Sequence, residues 1–281
     1  MTAVATVPVS IKVRGDGTLV EQHRPQLLTV LAAALIAAFV LVPPLLASSW
    51  TGSHLVSHGD LVEASQEAFT GYWRSGGGEL DARLQGLVDY WYAFHIVKGA
   101  IAGALLAVLA TLAVPLWKRT GALWKSSATV VTMLALLSAA ALMANVQGTL
   151  APFSSLLPMV AETTSGESAL ADAGHQLSEA LNTGAPTPAS LTTMIDDFGW
   201  YHAVMVPIAG FATLILLVAT VRLWRRFAAT DRSAKPVRRL LAVTGVLSAL
   251  LTLAMAAVVV ANATTAANPA AALSAFFNGS W

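Results

Sequence analysis

Apolar and polar positions alternate along this chain on two scales. On the long scale, five nearly uninterrupted apolar stretches lie near 26–47, 91–117, 128–150, 200–224 and 240–263. Each can cross about 30 Å of hydrocarbon, which takes roughly 20 helical residues. On the short scale, GDLVEASQEAF (59 to 69), GELDARLQGLV (78 to 88) and ESALADAGHQLSEAL (167 to 181) place apolar residues three or four apart with acids between them. That is the pattern of helices with one greasy face. Gly76, Gly77 and Gly78 separate the first two, and GAPTPAS makes a turn after the third. The pattern predicts an all-α polytopic membrane protein with five spanning helices and a small helical cap on one face. The first stretch follows Arg24 and precedes LLASS, as a signal peptide would, but it exceeds the roughly 7 to 15 residue apolar core of such peptides.

The spans divide the chain into a tail (1–25), a first unit (26–117, with an outer segment at 48–90), a basic loop (118–127), a second unit (128–224, with an outer segment at 151–199), a second basic loop (225–239), and a fifth span with its tail (240–281). Shifting the sequence by 107 residues lays DYWYAFHIVKGAIAG over DDFGWYHAVMVPIAG, with Asp89 on Asp196 and His95 on His202. From 89 to 119 the register gives 11 identities in 31 positions, among them Gly103/Gly210 and Trp117/Trp224. A shift of 117 then places Asn145 on Asn262 and Pro152 on Pro269. The first span reaches its outer end at Pro43 and Pro44. These matches predict an internal duplication. With an even number of spans per unit, the copies face the same way, the parallel kind of repeat.

Composition agrees with the membrane reading: 56% of the 281 residues are hydrophobic and 11% charged, against about a quarter charged in soluble domains. The mean hydropathy is +0.67. There is no cysteine, which excludes disulfides, thiolate metal sites and cysteine nucleophiles. Heavy alanine use suits a bacterial source. The net charge of +1 hides a separation that sets orientation. With the N terminus inside, 13 of the 16 basic residues fall in cytoplasmic segments and 12 of the 15 acids in outer ones. Lysine and arginine accumulate on the cytoplasmic side, so the expected arrangement is N-in and C-out in the cell membrane. The basic loops are accounted for by topology and anionic lipid, and nucleic acid is not an expected partner.

Few residues could carry chemistry. His95 and His202 lie about one turn inside equivalent helix ends. Facing imidazoles could ligate a haem b iron, copper or zinc. The alternative is membership of an interfacial aromatic belt with Tyr90, Trp91, Tyr92 and Phe94, and with Phe198, Trp200 and Tyr201. His54 and His58 stand four apart, a metal-ligand spacing on a helix, and with His95 and His202 would form an all-nitrogen outer site; His175 is a further candidate, whereas His23 is on the other side. Asp89 and Asp196 read as helix caps. Asn145, Gln147 and Asn262 read as interhelical hydrogen-bonding amides. Lys98, replaced by Met205 in the second copy, reads as snorkeling to headgroups or pairing with Asp89 or Asp196. Gly99 and Gly103 permit close helix approach, and Pro207 falls early enough in its helix to be tolerated.

No span carries a buried acid pair, a GxSxG serine or a P-loop. The reading that follows is a non-enzymatic membrane component, an accessory subunit or partner-binding protein with an acidic outer cap. Its partners would be the bilayer and other membrane proteins or itself. The alternatives are a metal- or haem-binding redox protein built on the outer histidines, and a small-molecule or lipid transporter.

Overall fold

A computed structural model describes residues 17–53, 55, 57–162 and 169–279. The described elements are all helices: α1 (Gly17–Thr51), α2 (His58–Ser75), α3 (Ala82–Lys118), α4 (Ala122–Leu150), α5 (Pro152–Ala161), α6 (Ala169–Thr183), α7 (Ala189–Ala229), α8 (Lys235–Ala267) and α9 (Pro269–Phe277). Five of them, α1, α3, α4, α7 and α8, are long and apolar enough to cross a membrane. The chain is a polytopic α-helical membrane protein.

Two of these helices start earlier than their apolar cores. α3 begins at Ala82 and α7 at Ala189, because the amphipathic stretch before each span is in helical phase with it. This corrects the reading of Asp89 and Asp196 as caps: both lie inside a helix and are exposed. The cap of α3 is Asp81, whose Oδ1 accepts from the backbone N–H groups of Arg83 (3.0 Å) and Leu84 (2.8 Å). α7 has Pro188 at that place and no side-chain cap. α2 starts with a capping box, Ser57 and Asp60 each accepting the other's backbone N–H at 3.1 Å. It stops at Gly76, whose φ of 66° suits a residue without Cβ.

Proline decides where α4 and α8 end. The residue before a proline is pushed out of the helical region, and Ala151 (φ −140°, ψ 68°) and Asn268 (φ −136°, ψ 62°) adopt nearly the same kink before Pro152 and Pro269. Each proline opens a short new helix, where its missing N–H costs nothing. α1 differs: it carries Pro43 and Pro44 within its length and continues to Thr51.

Packing is uneven along the bundle. The main buried cluster lies at the cap end, where α2, α5, α6 and α9 close over the ends of α3 and α7. Phe69, Tyr72, Leu156, Leu177, Leu191 and Leu273 are almost fully enclosed there. The cluster between the spans is much smaller, formed by Ala32, Leu105, Leu109 and Leu112. The difference follows from the solvent. Water drives the cap's apolar faces together, whereas lipid tails solvate leucine as well as another helix does.

The helices associate in sequence. α1 packs on α3, α3 on α4, and α7 on α8, while α4 and α7 meet more sparingly. Hydrogen bonds between α4 and α7 occur at the cap end, from Gln147 Nε2 to the Tyr201 carbonyl (3.0 Å) and from Trp200 Nε1 to the Leu150 carbonyl (2.9 Å). At the basic end, each turn is tied by a cation to the preceding helix's last carbonyls. Lys125 Nζ donates to Trp117 O at 2.6 Å, and Arg238 donates to Phe227 O and Thr230 O. Positive charge at a helix C-terminus also suits the helix dipole.

Candidate functional site

Two polar cross-links lie within the apolar bundle near its cap end, and both use residues singled out by the sequence shifts. His95 Nδ1 on α3 is 3.0 Å from Asn145 Oδ1 on α4; His202 Nδ1 on α7 is 2.9 Å from Asn262 Oδ1 on α8. Each asparagine donates its Nδ2–H to a carbonyl four residues earlier, Ala141 or Val258. That orients the amide with its oxygen toward the ring, so the imidazole Nδ1–H is the donor. Each ring also meets aromatic edges at equivalent places, Trp91 and Phe94 around His95, Phe198 and Tyr201 around His202, with centroids 4.7 to 5.7 Å apart.

The surroundings of the two links differ. The His95 ring lies flat against Gly148: a Cβ at that position would fall 2.5 Å from Nε2 and 2.6 Å from the neighbouring ring carbons. His95 Nε2 is buried and makes no hydrogen bond. The position corresponding to Gly148 is Thr265. A Cβ on Gly99 would lie 3.4 Å from the Asn145 Cβ, and the corresponding residue is Val206. Asn145 is buried, whereas Asn262 is half-buried.

Of the four metal-ligand candidates, His58, His95 and His202 are not gathered at one centre. His54 lies outside the described residues. His58 meets Glu162 instead, Nε2 to Oε2 at 3.2 Å, with both side chains well exposed. No group of three or more His, Asp or Glu side chains stands ready to hold a metal among the described residues. His175 is exposed on α6. The chemistry available at His95 is hydrogen-bond donation from Nδ1, since Gly148 walls off the other nitrogen.

Lys98 does not meet Asp89 or Asp196. Its ammonium sits over the rings of Phe39 on α1 (5.0 Å) and Phe94 (4.9 Å), a cation–π contact across the α1–α3 interface. By reaching back to Phe94 it still points toward the cap end, as snorkeling requires. Gln147 acts as an interhelical amide, but toward α7.

Three contributors to this end of the molecule escaped the sequence reading. Asp197, not Asp196, does the capping, and it caps another helix: its Oδ2 accepts from the backbone N–H (2.8 Å) and hydroxyl (2.7 Å) of Ser154 in the first turn of α5. Tyr72 donates its hydroxyl to the Ser190 carbonyl at 3.0 Å and packs edge-on against Phe153; burial raises its phenol above the ordinary tyrosine range. Gly148 gave no local signal. The recurrence of both His and Asn under the two shifts was a signal for their pairing, because a contact needs both partners to repeat.

The exposed surface of the cap is acidic. Glu63, Glu67, Glu79, Asp172 and Glu179 all face outward, and only Glu67 has a basic partner close by among the described residues, Arg83 at 2.6 Å. No family model, curated protein or solved structure matches the chain.

Proposed function

We infer that this chain is a non-enzymatic accessory component of the membrane that offers its acidic cap to a basic surface on another protein. The observation that carries the reading is the cap itself. Its apolar faces are turned inward around Phe69, Tyr72 and Leu157, and its exposed face carries acids from two helices, α2 and α6. Charge arranged on a packed scaffold favours selective association, since complementary charge steers encounter and excludes wrong partners.

The basic turns after α3 and α7 belong to the cytoplasm under the positive-inside rule, which makes the cap extracytoplasmic in the cell membrane. The recurring His–Asn link and proline kink support descent of the α3–α4–α5 and α7–α8–α9 stretches from one duplicated unit. The haem and metal readings draw less support, because His95 has one ring nitrogen bonded and the other walled by Gly148. The transport reading also weakens, because both asparagines are engaged by histidines.

The test is affinity purification from native membranes in mild detergent, comparing wild type with a Glu63→Lys/Asp172→Lys/Glu179→Lys variant. A stoichiometric partner should be recovered at low salt, weaken as salt rises, and be missing from the variant. Recovery of no partner by wild type at low salt, or equal recovery by the variant, overturns the reading.

A further inference from the structure

α1 and α4 both pack on α3 but scarcely on each other, and toward the basic end the wedge between them is unfilled. The resulting cavity is about 490 Å³, within the range of small-molecule sites, roughly 300 to 1,000 Å³. Its walls are mostly apolar, with Ala33 and Ile36 from α1, Leu112 from α3 and Leu134 from α4, and its polar side chains are Gln26, Thr29 and Arg119. Ala33, Ile36 and Leu134 are exposed, so the wedge opens sideways between two spanning helices, where acyl chains would lie. At its rim stands Arg119, immediately after the last residue of α3, its guanidinium 4.0 Å over the Trp124 ring. Stacking fixes the cation where a spanning helix leaves the hydrocarbon, which is headgroup depth.

An apolar slot open to lipid with an oriented cation at its border matches one chemistry, an anionic amphiphile. We propose that this wedge binds a phospholipid with an anionic headgroup, one acyl chain lying between α1 and α4 and the phosphate on Arg119. The guanidinium offers several N–H donors to phosphate oxygens. The second helix pair also has a stacked arginine, Arg238 over Phe227 at 4.2 Å, but its guanidinium already donates to the Phe227 and Thr230 carbonyls. Arg226 corresponds to Arg119, but Leu241 stands where Trp124 does, and no ring is stacked on Arg226 among the described residues.

Native mass spectrometry of the full-length protein tests this, after delipidation and equilibration with equal amounts of phosphatidylglycerol and phosphatidylcholine of one chain length. Wild type should retain phosphatidylglycerol about fivefold over phosphatidylcholine, the worth of one arginine at an anionic surface. Arg119→Gln should bring the two to parity, and Arg226→Gln should keep the wild-type preference. Ala33→Trp, which fills the slot from an exposed position, should reduce retention of both lipids. Inorganic phosphate should not displace the lipid. The proposal is overturned if wild type shows no preference, if Arg119→Gln keeps it, if Arg226→Gln loses it equally, or if phosphate alone displaces the lipid. Because Arg119 lies at the opposite end from the cap, failure here leaves the partner experiment unaffected.

Discussion

The helix pairs α3–α4 and α7–α8 share one fastening and differ in how tightly it is enclosed. In both, an imidazole donates to an asparagine one helix away, and a proline breaks the returning helix shortly after. In α3–α4, however, the ring is pressed on Gly148, and the Asn145 Cβ faces Gly99. In α7–α8, Thr265 and Val206 occupy those positions. Deeper in the bundle both pairs carry a hydroxyl tie: Ser138 Oγ donates to the Ala102 carbonyl at 2.8 Å in the first, and Thr220 Oγ1 lies 2.7 Å from Ser248 Oγ and 3.2 Å from Thr252 Oγ1 in the second. The pairs differ in what flanks the link, glycines in one and larger side chains in the other. The same hydrogen bond should therefore respond differently to the same insult in each pair.

The largest difference should come from adding one methyl group. Gly148→Ala would force the His95 ring away and break its bond to Asn145, costing about 3 kcal/mol from overpacking and a lost buried hydrogen bond. Thr265→Ala should stay within about 0.5 kcal/mol, as substitutions away from tight features do. Thermal unfolding in one detergent reads both, and equal shifts would erase the contrast.

Removing one partner of the link comes next. Asn145→Leu leaves a buried Nδ1–H without an acceptor and should cost about 1 to 2 kcal/mol. The His95→Leu/Asn145→Leu double variant should recover part of that loss, because two apolar groups leave nothing unsatisfied. Asn262→Leu should cost less than Asn145→Leu, since Asn262 is half-buried whereas Asn145 is buried. A double variant less stable than both singles would show that the link is more than a fastening.

Smaller again is the loss of the acid that joins the two halves. Asp197→Ala removes the acceptor at the start of α5 and should cost about 1 kcal/mol, the usual value of an N-terminal cap. Amide exchange should quicken in α5 and not in α9, which has no side-chain cap to lose. The smallest effect belongs to Lys98→Met. The α7–α8 pair already carries Met205 there, and a cation–π contact of this kind is worth about 0.5 to 1 kcal/mol at accessible sites. A shift larger than that of Asp197→Ala would reveal a role for the charge beyond packing on Phe39 and Phe94.

Much of this architecture was legible in the pattern of apolar positions. Twenty-residue runs and three-four spacing respond to solvent, and lipid and water each leave a periodic mark. Helix starts were less legible: nothing between Gly78 and Trp91 interrupts the helical phase, so the cap-end segment and the span merge and Asp89 falls inside. Long-range pairings were illegible for a different reason. His58 meets Glu162 across 104 residues, and Asp197 rather than its neighbour reaches Ser154 across 43, outcomes set by how the cap helices dock. The His95–Asn145 pair lay between these cases, since both partners recurred but nothing in the spacing said that they touch.

The cap core also fixes an order of manufacture. Leu273, wholly buried, belongs to α9 and follows the fifth span in the chain, while Phe69 and Tyr72 in the same core precede the second. Chains emerge N-terminal end first, so the greasy face of α2 is made early and waits for α5 and α6, and that of α6 in turn waits for α9, before the core is complete. During that interval the face needs either the bilayer surface or a chaperone to shield it. A nascent chain arrested after α8 should leave α6 open to protease, whereas one extended through Phe277 should protect it.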